Sequence, residues 1–359
     1  MFQLLKHCNR KEFTPIICTR KDGPFWEKFE QLNVPVHPFI LRKLSLTSFI
    51  ALYRFLKIQQ PNLIHTHGKG PGLYGRIIGK ILGIPTVHTF HGFHYQDIPL
   101  FKRNIHLFIE NFLSRITKHH IFVGEAEKER AGIISGLKEK NTVVIRNGVD
   151  ATLFQSMTAD RNILLHKLQL ERFMGKKILG LISRFSPEKG ILQLLERYTE
   201  IREKYPEWKL IIIGDAPEEH IGYKSKATNI IKKNNLGEDI ALVGFREDAK
   251  QFLKCFDIYV SPSLSEGLPL ALLEAFSAEL PVIASDIPGN CEVLGTPPCG
   301  IMFSPETPQA LSKAMDAFIK LDENEKINLT NKAYKRVIEE FSSSKMAEKT
   351  WSLYKKILD

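Results

Sequence analysis

The sequence predicts an α/β protein made of two Rossmann-like, doubly wound parallel-sheet domains facing a central cleft. Three observations predict it. Short apolar runs alternate with helical patterns through both halves, those runs are almost unbroken Val, Ile and Leu, and 359 residues exceed what one hydrophobic core commonly organises. Such runs suit strands covered on both faces, as in parallel sheets. Ligands of these sheets bind beyond the carboxyl ends of the strands.

In the first half the strand-like runs are Phe13 to Thr19, Leu63 to His67, Pro85 to His91, His119 to Gly124 and Thr142 to Arg146. Helical patterns at 23–31, 46–59, 71–82, 98–117 and 125–135 separate them. The second half repeats the scheme with Lys177 to Ser183, Leu210 to Asp215, Ile240 to Phe245, Ile258 to Ser261 and Pro281 to Ser285. The polar stretch from Asp150 to Lys176 reads as a linker. The expected domains are 1–160 and 161–343, with an amphipathic terminal helix at 344–359 that packs back on the first domain. The chain opens on what reads as the end of a helix. The strand and Gly-rich turn that begin a Rossmann-like half are not seen ahead of it, so a truncated or misassigned start is expected.

Composition narrows the function classes. No apolar run approaches the ~18 residues needed to span a bilayer, and residues 1–8 lack a secretory pattern, so a cytoplasmic protein is expected. Five scattered cysteines without a C-x-x-C pair argue against disulfides or structural zinc. The net charge of +10 lies wholly in residues 1–160, where 22 Lys and Arg face 12 Asp and Glu, whereas 161–359 carries 28 of each. That asymmetry points the first half to an anionic partner, whether an anionic membrane surface on the inner face of the cell membrane, a lipid-linked phosphate or nucleic acid, and charge kept for solubility alone would look the same. No nucleic-acid motif accompanies the charge, so nucleic acid is not expected as a partner.

Two segments carry chemistry. In Ser261 to Ala278 a strand leads through a loop into a helix near Pro269, with Glu266 and Glu274 eight residues apart. Gly267 permits close backbone approach, and the first-turn N–H groups of the helix can meet an anion. A carboxylate at Glu274, inside the domain, needs a partner such as a ribose diol. On spacing alone, Glu266 could equally cap the helix and Glu274 pair with a buried cation. In Gly180 to Gly190, Arg184 and Lys189 flank a turn with Ser186 at the N-cap and Pro187 at N1. An arginine fork and a lysine beside free N–H groups suit a diphosphate that is held and then stabilised as a leaving group. An ordinary solvated turn would look the same.

Together these segments resemble the family 4 retaining glycosyltransferases, which have the GT-B fold. The resemblance runs from Phe13 to the last helix, through Leu63-Ile-His-Thr-His67-Gly, Thr89-Phe-His91-Gly92-Phe-His94, Val144 to Asp150, Ser183 to Gly190, Gly244-Phe245-Arg246 and the E-x7-E pair. It implies that Arg184 and Lys189 bind the donor diphosphate and that Glu274 binds the ribose. Glu266, with the Gly267-Leu268-Pro269 backbone, would handle donor sugar and phosphate. Phe245 would lie at the base through its backbone, and His91 would face the donor sugar from the acceptor-side N-terminal domain. The resemblance further implies a nucleoside-diphosphate sugar, UDP-sugar foremost, as donor, no cofactor, and no metal. A lipid-linked or glycan acceptor of envelope synthesis is its expected partner. The family's Gly-rich loop after the first strand is lacking here, and nothing is carried over for it.

Three further features of the sequence bear on function. His65, His67, His88, His91 and His94 fall close together, and His65 and His67 should face one way on a strand, but no Cys or acidic residue completes a metal set. From Ile98 to His120, the residues Phe101, Ile105, Phe108, Phe112, Leu113 and Ile116 keep helical spacing beside Lys102, Arg103, Arg115 and Lys118. Such a stripe is either core or a membrane-surface face. A nucleotide-sugar epimerase of the same fold, or a nucleotide-sugar-binding protein inactive through N-terminal truncation, are the alternatives to a transferase.

Overall fold

A computed structural model describes residues 1–359 apart from 22–24, 43, 93–98 and 158. His94, Gly23 and Ile98, which figure in the readings above, therefore lie outside the described residues. The chain divides into two compact units: Met1–Gly148 with Ser343–Asp359, and Val149–Ser342.

The first unit holds α1 (Phe2–Lys6), β1 (Ile17–Thr19), α2 (Phe25–Gln31), β2 (Val36–Pro38), α3 (Leu46–Gln59), β3 (Ile64–His67), α4 (Lys69–Leu82), β4 (Thr86–Phe90), α5 (Leu100–Ile116), β5 (His119–Phe122), α6 (Glu125–Arg130) and β6 (Thr142–Val144). The second holds α7 (Thr152–Gln155), α8 (Arg161–Lys167), β7 (Lys177–Ile182), α9 (Ile191–Lys204), β8 (Trp208–Ile213), α10 (Ile221–Lys233), β9 (Ile240–Gly244), β10 (Ile258–Ser261), α11 (Leu270–Ser277), β11 (Val282–Ser285), α12 (Pro288–Leu294), β12 (Ile301–Phe303), α13 (Ala310–Lys320) and α14 (Glu323–Glu340). The last helix, α15 (Ser343–Leu358), belongs to the first unit.

The second unit is one parallel six-stranded sheet in the order β12-β11-β10-β7-β8-β9. Chain order runs outward from β7 in one direction through β8 and β9, and resumes on its other side at β10. The reversal between β7 and β10 is the topological switch point of a doubly wound sheet, where the crevice beyond the strand ends opens. β7 and β8 lie inside the sheet with Ile178, Leu179, Leu181 and Leu210–Ile213 buried, as continuous apolar strands require. The 150–176 stretch is not a bare linker. Asp160 caps α8 by accepting from the N–H groups of Asn162 and Ile163, and Leu164, Leu165 and Phe173 are buried.

In the first unit, β3-β4-β5-β6 form one parallel sheet and β1-β2 a separate parallel pair. Strand and helix alternation does not specify which strands pair, and β1 and β3 share no ladder. Helix α4 lies hard against β3 and β4. A Cβ on Gly72, Gly75 or Gly79 would come within 2.6, 2.4 and 2.3 Å of His88, Thr66 and Thr86. Glycine at these positions is thus an approach requirement that overrides its poor helix propensity. Arg76 of α4, fully buried, forks onto Glu110 of α5 at 2.9 and 3.0 Å. On the other side of the sheet, Val87, Ile121 and Ile145 pack with Tyr354 and Trp351 of α15.

Candidate functional site

The switch point of the second sheet gathers the sequence-predicted residues. Arg184 follows β7, and Ser263 to Leu268 follow β10, its neighbour. Lys189 donates from Nζ to Oε1 of Glu266 at 2.6 Å, and Ser263 Oγ donates to the same oxygen at 2.7 Å. Both charged side chains are largely enclosed, at 20% and 12% exposure. Glu266 therefore does not cap α11. The N-cap position there is Pro269, with no side-chain cap, which leaves the first N–H groups of an eight-residue helix without a side-chain acceptor.

Two loops meet here because a glycine lets them. Gly190, at φ +64°, stands where a Cβ would be 2.0 Å from the Pro262 carbonyl oxygen. The backbone N–H groups of Leu264 and Ser265 donate to the Glu188 carbonyl at 2.8 and 3.3 Å. Arg184 lies open to solvent and reaches Glu188 at 3.4 Å, while Ser186 Oγ donates to the same carboxylate at 2.6 Å. Burial opposes ionisation of Glu188. The Ser186 hydroxyl, its own backbone N–H, Arg184 and Lys189 outweigh burial and hold its pKa below the usual value. Both predicted cations thus act on one carboxylate.

Glu274, in the second turn of α11, pairs with Lys250 at 2.6 Å and is mostly enclosed. Its partner is a cation, though not the buried one of the alternative reading. Lys250 is about half exposed, so the pair opens to solvent on one side. The buried Tyr259 phenol donates to the Ile182 carbonyl at 3.2 Å, and burial, then the charges of Glu274 and Glu266, raises its pKa. Gly267, Leu268 and Pro269 are buried. Phe245, at the end of β9 and two strands from β7, turns its ring to solvent at 63% exposure, and it follows the Gly214 N–H to Gly244 carbonyl contact of 2.8 Å.

Bracing residues escaped the sequence reading. Ser285 Oγ donates to the Ser263 carbonyl, and Asn290 Nδ2 donates to the Ser285 carbonyl at 2.9 Å. A Cβ on Gly289 would lie 2.8 Å from the Glu266 carbonyl oxygen and 3.0 Å from that of Gly267. The strand-to-helix turn Ser285-Asp-Ile-Pro-Gly289-Asn290 was the available signal, a second Pro-then-Gly helix start beside the first.

His91 belongs to the first unit. One of its ring nitrogens, Nε2, lies 2.8 Å from Nδ1 of His67, whose ring stacks on it at a 5.1 Å centroid distance. Part of His91 faces solvent, yet its crowded setting and then the Met1 ammonium push its pKa down to about 4. A group that weakly basic is neutral at pH 7 and contributes a hydrogen bond, not a charge. His65 does face the same way as His67, with rings 4.1 Å apart, but its Nε2 is taken by Thr89 Oγ1 at 2.7 Å and its Nδ1 by Tyr354. Among the described residues no three His, Cys, Asp or Glu side chains converge as a metal set. A cavity of about 560 Å3 opens beside this group, lined by Thr19, Arg20, Trp26, Phe39, Arg42 and His67 among others. No described helix is long and apolar enough to cross a membrane.

Comparison with known proteins agrees with this geometry. Residues 1–153 match the Glycosyltransferase Family 4 model and 164–336 match Glycosyl transferases group 1. A relative from Escherichia coli, named UDP-Gal:alpha-D-GlcNAc-diphosphoundecaprenol alpha-1,3-galactosyltransferase, is 27% identical over 98% of this chain and 91% of its own. The capsular polysaccharide biosynthesis glycosyltransferase CapM of Staphylococcus aureus is 23% identical over 97% and 92%. Among solved structures, Anabaena HepE in complex with UDP-glucose superposes with a TM-score of 0.85 at 20% identity, covering 99% of this chain and 96% of that one. With one family model on each unit and full-length likeness in fold, the chain belongs to the family 4, group 1 glycosyltransferases of GT-B fold.

Proposed function

We propose that the chain transfers a hexosyl or N-acetylhexosaminyl group from a nucleoside-diphosphate sugar, foremost a UDP-sugar, to a hydroxyl of a lipid-linked or glycan acceptor in envelope polysaccharide synthesis. Transfer proceeds with retention and without a metal, at the cytoplasmic side of an anionic membrane to which the basic first half is drawn. The observation that carries this reading is the pairing of Arg184 and Lys189 with the uncapped α11 N-terminus at one switch point. The diphosphate takes Lys189 from Glu266 and Arg184 from Glu188, and the helix N–H groups meet its remaining oxygens. Glu274 exchanges Lys250 for the ribose hydroxyls.

Bond cleavage builds negative charge on the leaving phosphate, where these donors already point. The acceptor approaches the same face, and the leaving oxygen takes its proton, so no protein nucleophile is used. Catalysis then rests on position and charge. His91, neutral, hydrogen-bonds the sugar and is too weak a base to take the proton. UDP-sugar as donor and a lipid diphosphate as acceptor are supported by what the Escherichia coli relative is named for and by the UDP-glucose held in the Anabaena structure.

A thermal-shift screen of UDP-, GDP- and ADP-sugars, followed by anomeric analysis of the product, tests the reading. UDP-sugars should stabilise the chain, and Arg184→Ala and Glu274→Ala should each remove most of that effect. Stabilisation by none of the three, an inverted product, or an epimerised sugar with free UDP and no acceptor would each overturn it.

A further inference from the structure

Helix α5 is polar on the wrong side. Its inward face carries Glu110, buried and forked by Arg76, together with buried Ser114 and Leu113. Its outward face carries Phe101, Ile105, Phe108 and Phe112, exposed by 77, 44, 75 and 55%. At about 100° per residue these four fall within one ~60° arc, opposite Glu110. A single exposed phenylalanine needs no explanation, but four large apolar side chains in one line do. At ~150–250 Å2 per buried aromatic, the stripe with Leu100, exposed by 73%, presents several hundred Å2 of apolar surface, at or above the largest patch of an ordinary monomer.

We infer that this face of α5 lies in the interface of an anionic lipid bilayer, with the helix axis parallel to the membrane plane. The charges beside the stripe choose the occupant. Lys102 and Arg115 border it on opposite sides, and Glu110, the one acidic residue between Leu100 and Lys118, points inward and is neutralised. A row of aromatic side chains bordered by cations, with no outward carboxylate, fits acyl boundary beneath anionic headgroups. A second copy of the chain would bring the same bordering cations, Lys102 and Arg115, against themselves. From Phe101 to Phe112 the row runs ~16 Å, three turns of flat contact. This inference deepens the proposed membrane association and rests on it, because it names the surface through which that association is made.

Co-sedimentation with phosphatidylcholine vesicles containing about a third phosphatidylglycerol tests both levels. The wild type should sediment with these vesicles. The double variant Phe101→Ser/Phe108→Ser should partition at least about tenfold more weakly at every salt concentration. Lys102→Glu/Arg115→Glu should lose binding chiefly at low salt, where charge acts at longest range. An unchanged thermal shift with UDP shows that each variant is folded. If the wild type stays in the supernatant, membrane association itself fails. If the wild type binds and the serine variant binds equally well, the association stands and α5 is not its surface. A wild-type dimer in gel filtration that the serine variant converts to monomer would assign the stripe to a second copy and overturn the inference.

Discussion

Replacing Lys189 with methionine keeps the stem and deletes the charge that the donor phosphate is proposed to borrow. A hydrogen bond to a charged group is worth about 1.5–3 kcal/mol, so donor affinity should fall about 10- to 100-fold. The free chain should also weaken. Glu266, at 12% side-chain exposure, loses the cation that offsets its enclosed charge, and losing a hydrogen bond to a charged group there costs about 2 kcal/mol. In a unit of this size that is a Tm drop of about 4–8 °C. Adding Glu266→Gln should restore most of the stability and none of the affinity, because it removes the enclosed charge without replacing the cation. Isothermal titration with UDP and calorimetric melting read the two quantities separately. Wild-type affinity in Lys189→Met would refute the assignment, and an additive double-variant cycle would refute the ion pair.

Two further outcomes follow from the geometry. Gly190→Ala puts a methyl 2.0 Å from the Pro262 carbonyl at a left-handed φ, so urea unfolding should show a loss of about 3 kcal/mol, and a loss below about 0.5 kcal/mol would refute the close approach. Acid should open the first unit before the second. Burial, then neighbouring charge, pushes His65 and His120 down to about 3, against 6.5 when free, so between those pH values the unfolded chain binds more protons. Stability is intact above pH 6.5 and falls as pH drops towards 3, by about 1.4 kcal/mol per pH unit for each of these imidazoles, and His67 and His88, also pushed well down, steepen the slope. The second unit contains only His166 and His220. Hydrogen exchange at pH 5 should therefore lose protection in β3 to β5 while β7 and β8 keep it; equal loss in both would refute the argument.

The second unit was legible because its signals are local. Each βα turn carries its strand run, its helix start and its charges within a dozen residues, so the strand ends fall within two residues of the expected positions and Lys189 meets Glu266. Tertiary bracing was not legible: nothing near Ser263 says that Ser285 and Asn290 hold it. β2 and β12, three residues each, are too short to show a period of two. Helical spacing revealed the stripe on α5 but not which face the neighbours cover. The decisive clue was Glu110, whose partner lies 34 residues away on α4. In the 150–176 stretch, six buried apolar side chains were diluted by the charges around them.

Helix α15 gives the chain a schedule. Val87, Ile121 and Ile145 complete their packing against Tyr354 and Trp351, and one of the two bonds that hold His65 also comes from Tyr354. The second unit, an unbroken stretch of chain, can close as soon as it leaves the ribosome, whereas the first must wait for residues more than 200 positions downstream. At ~5–20 residues per second that wait is about 10–40 s. The unit made first is the one completed last, and through that interval its histidine-lined sheet stands uncovered on one face.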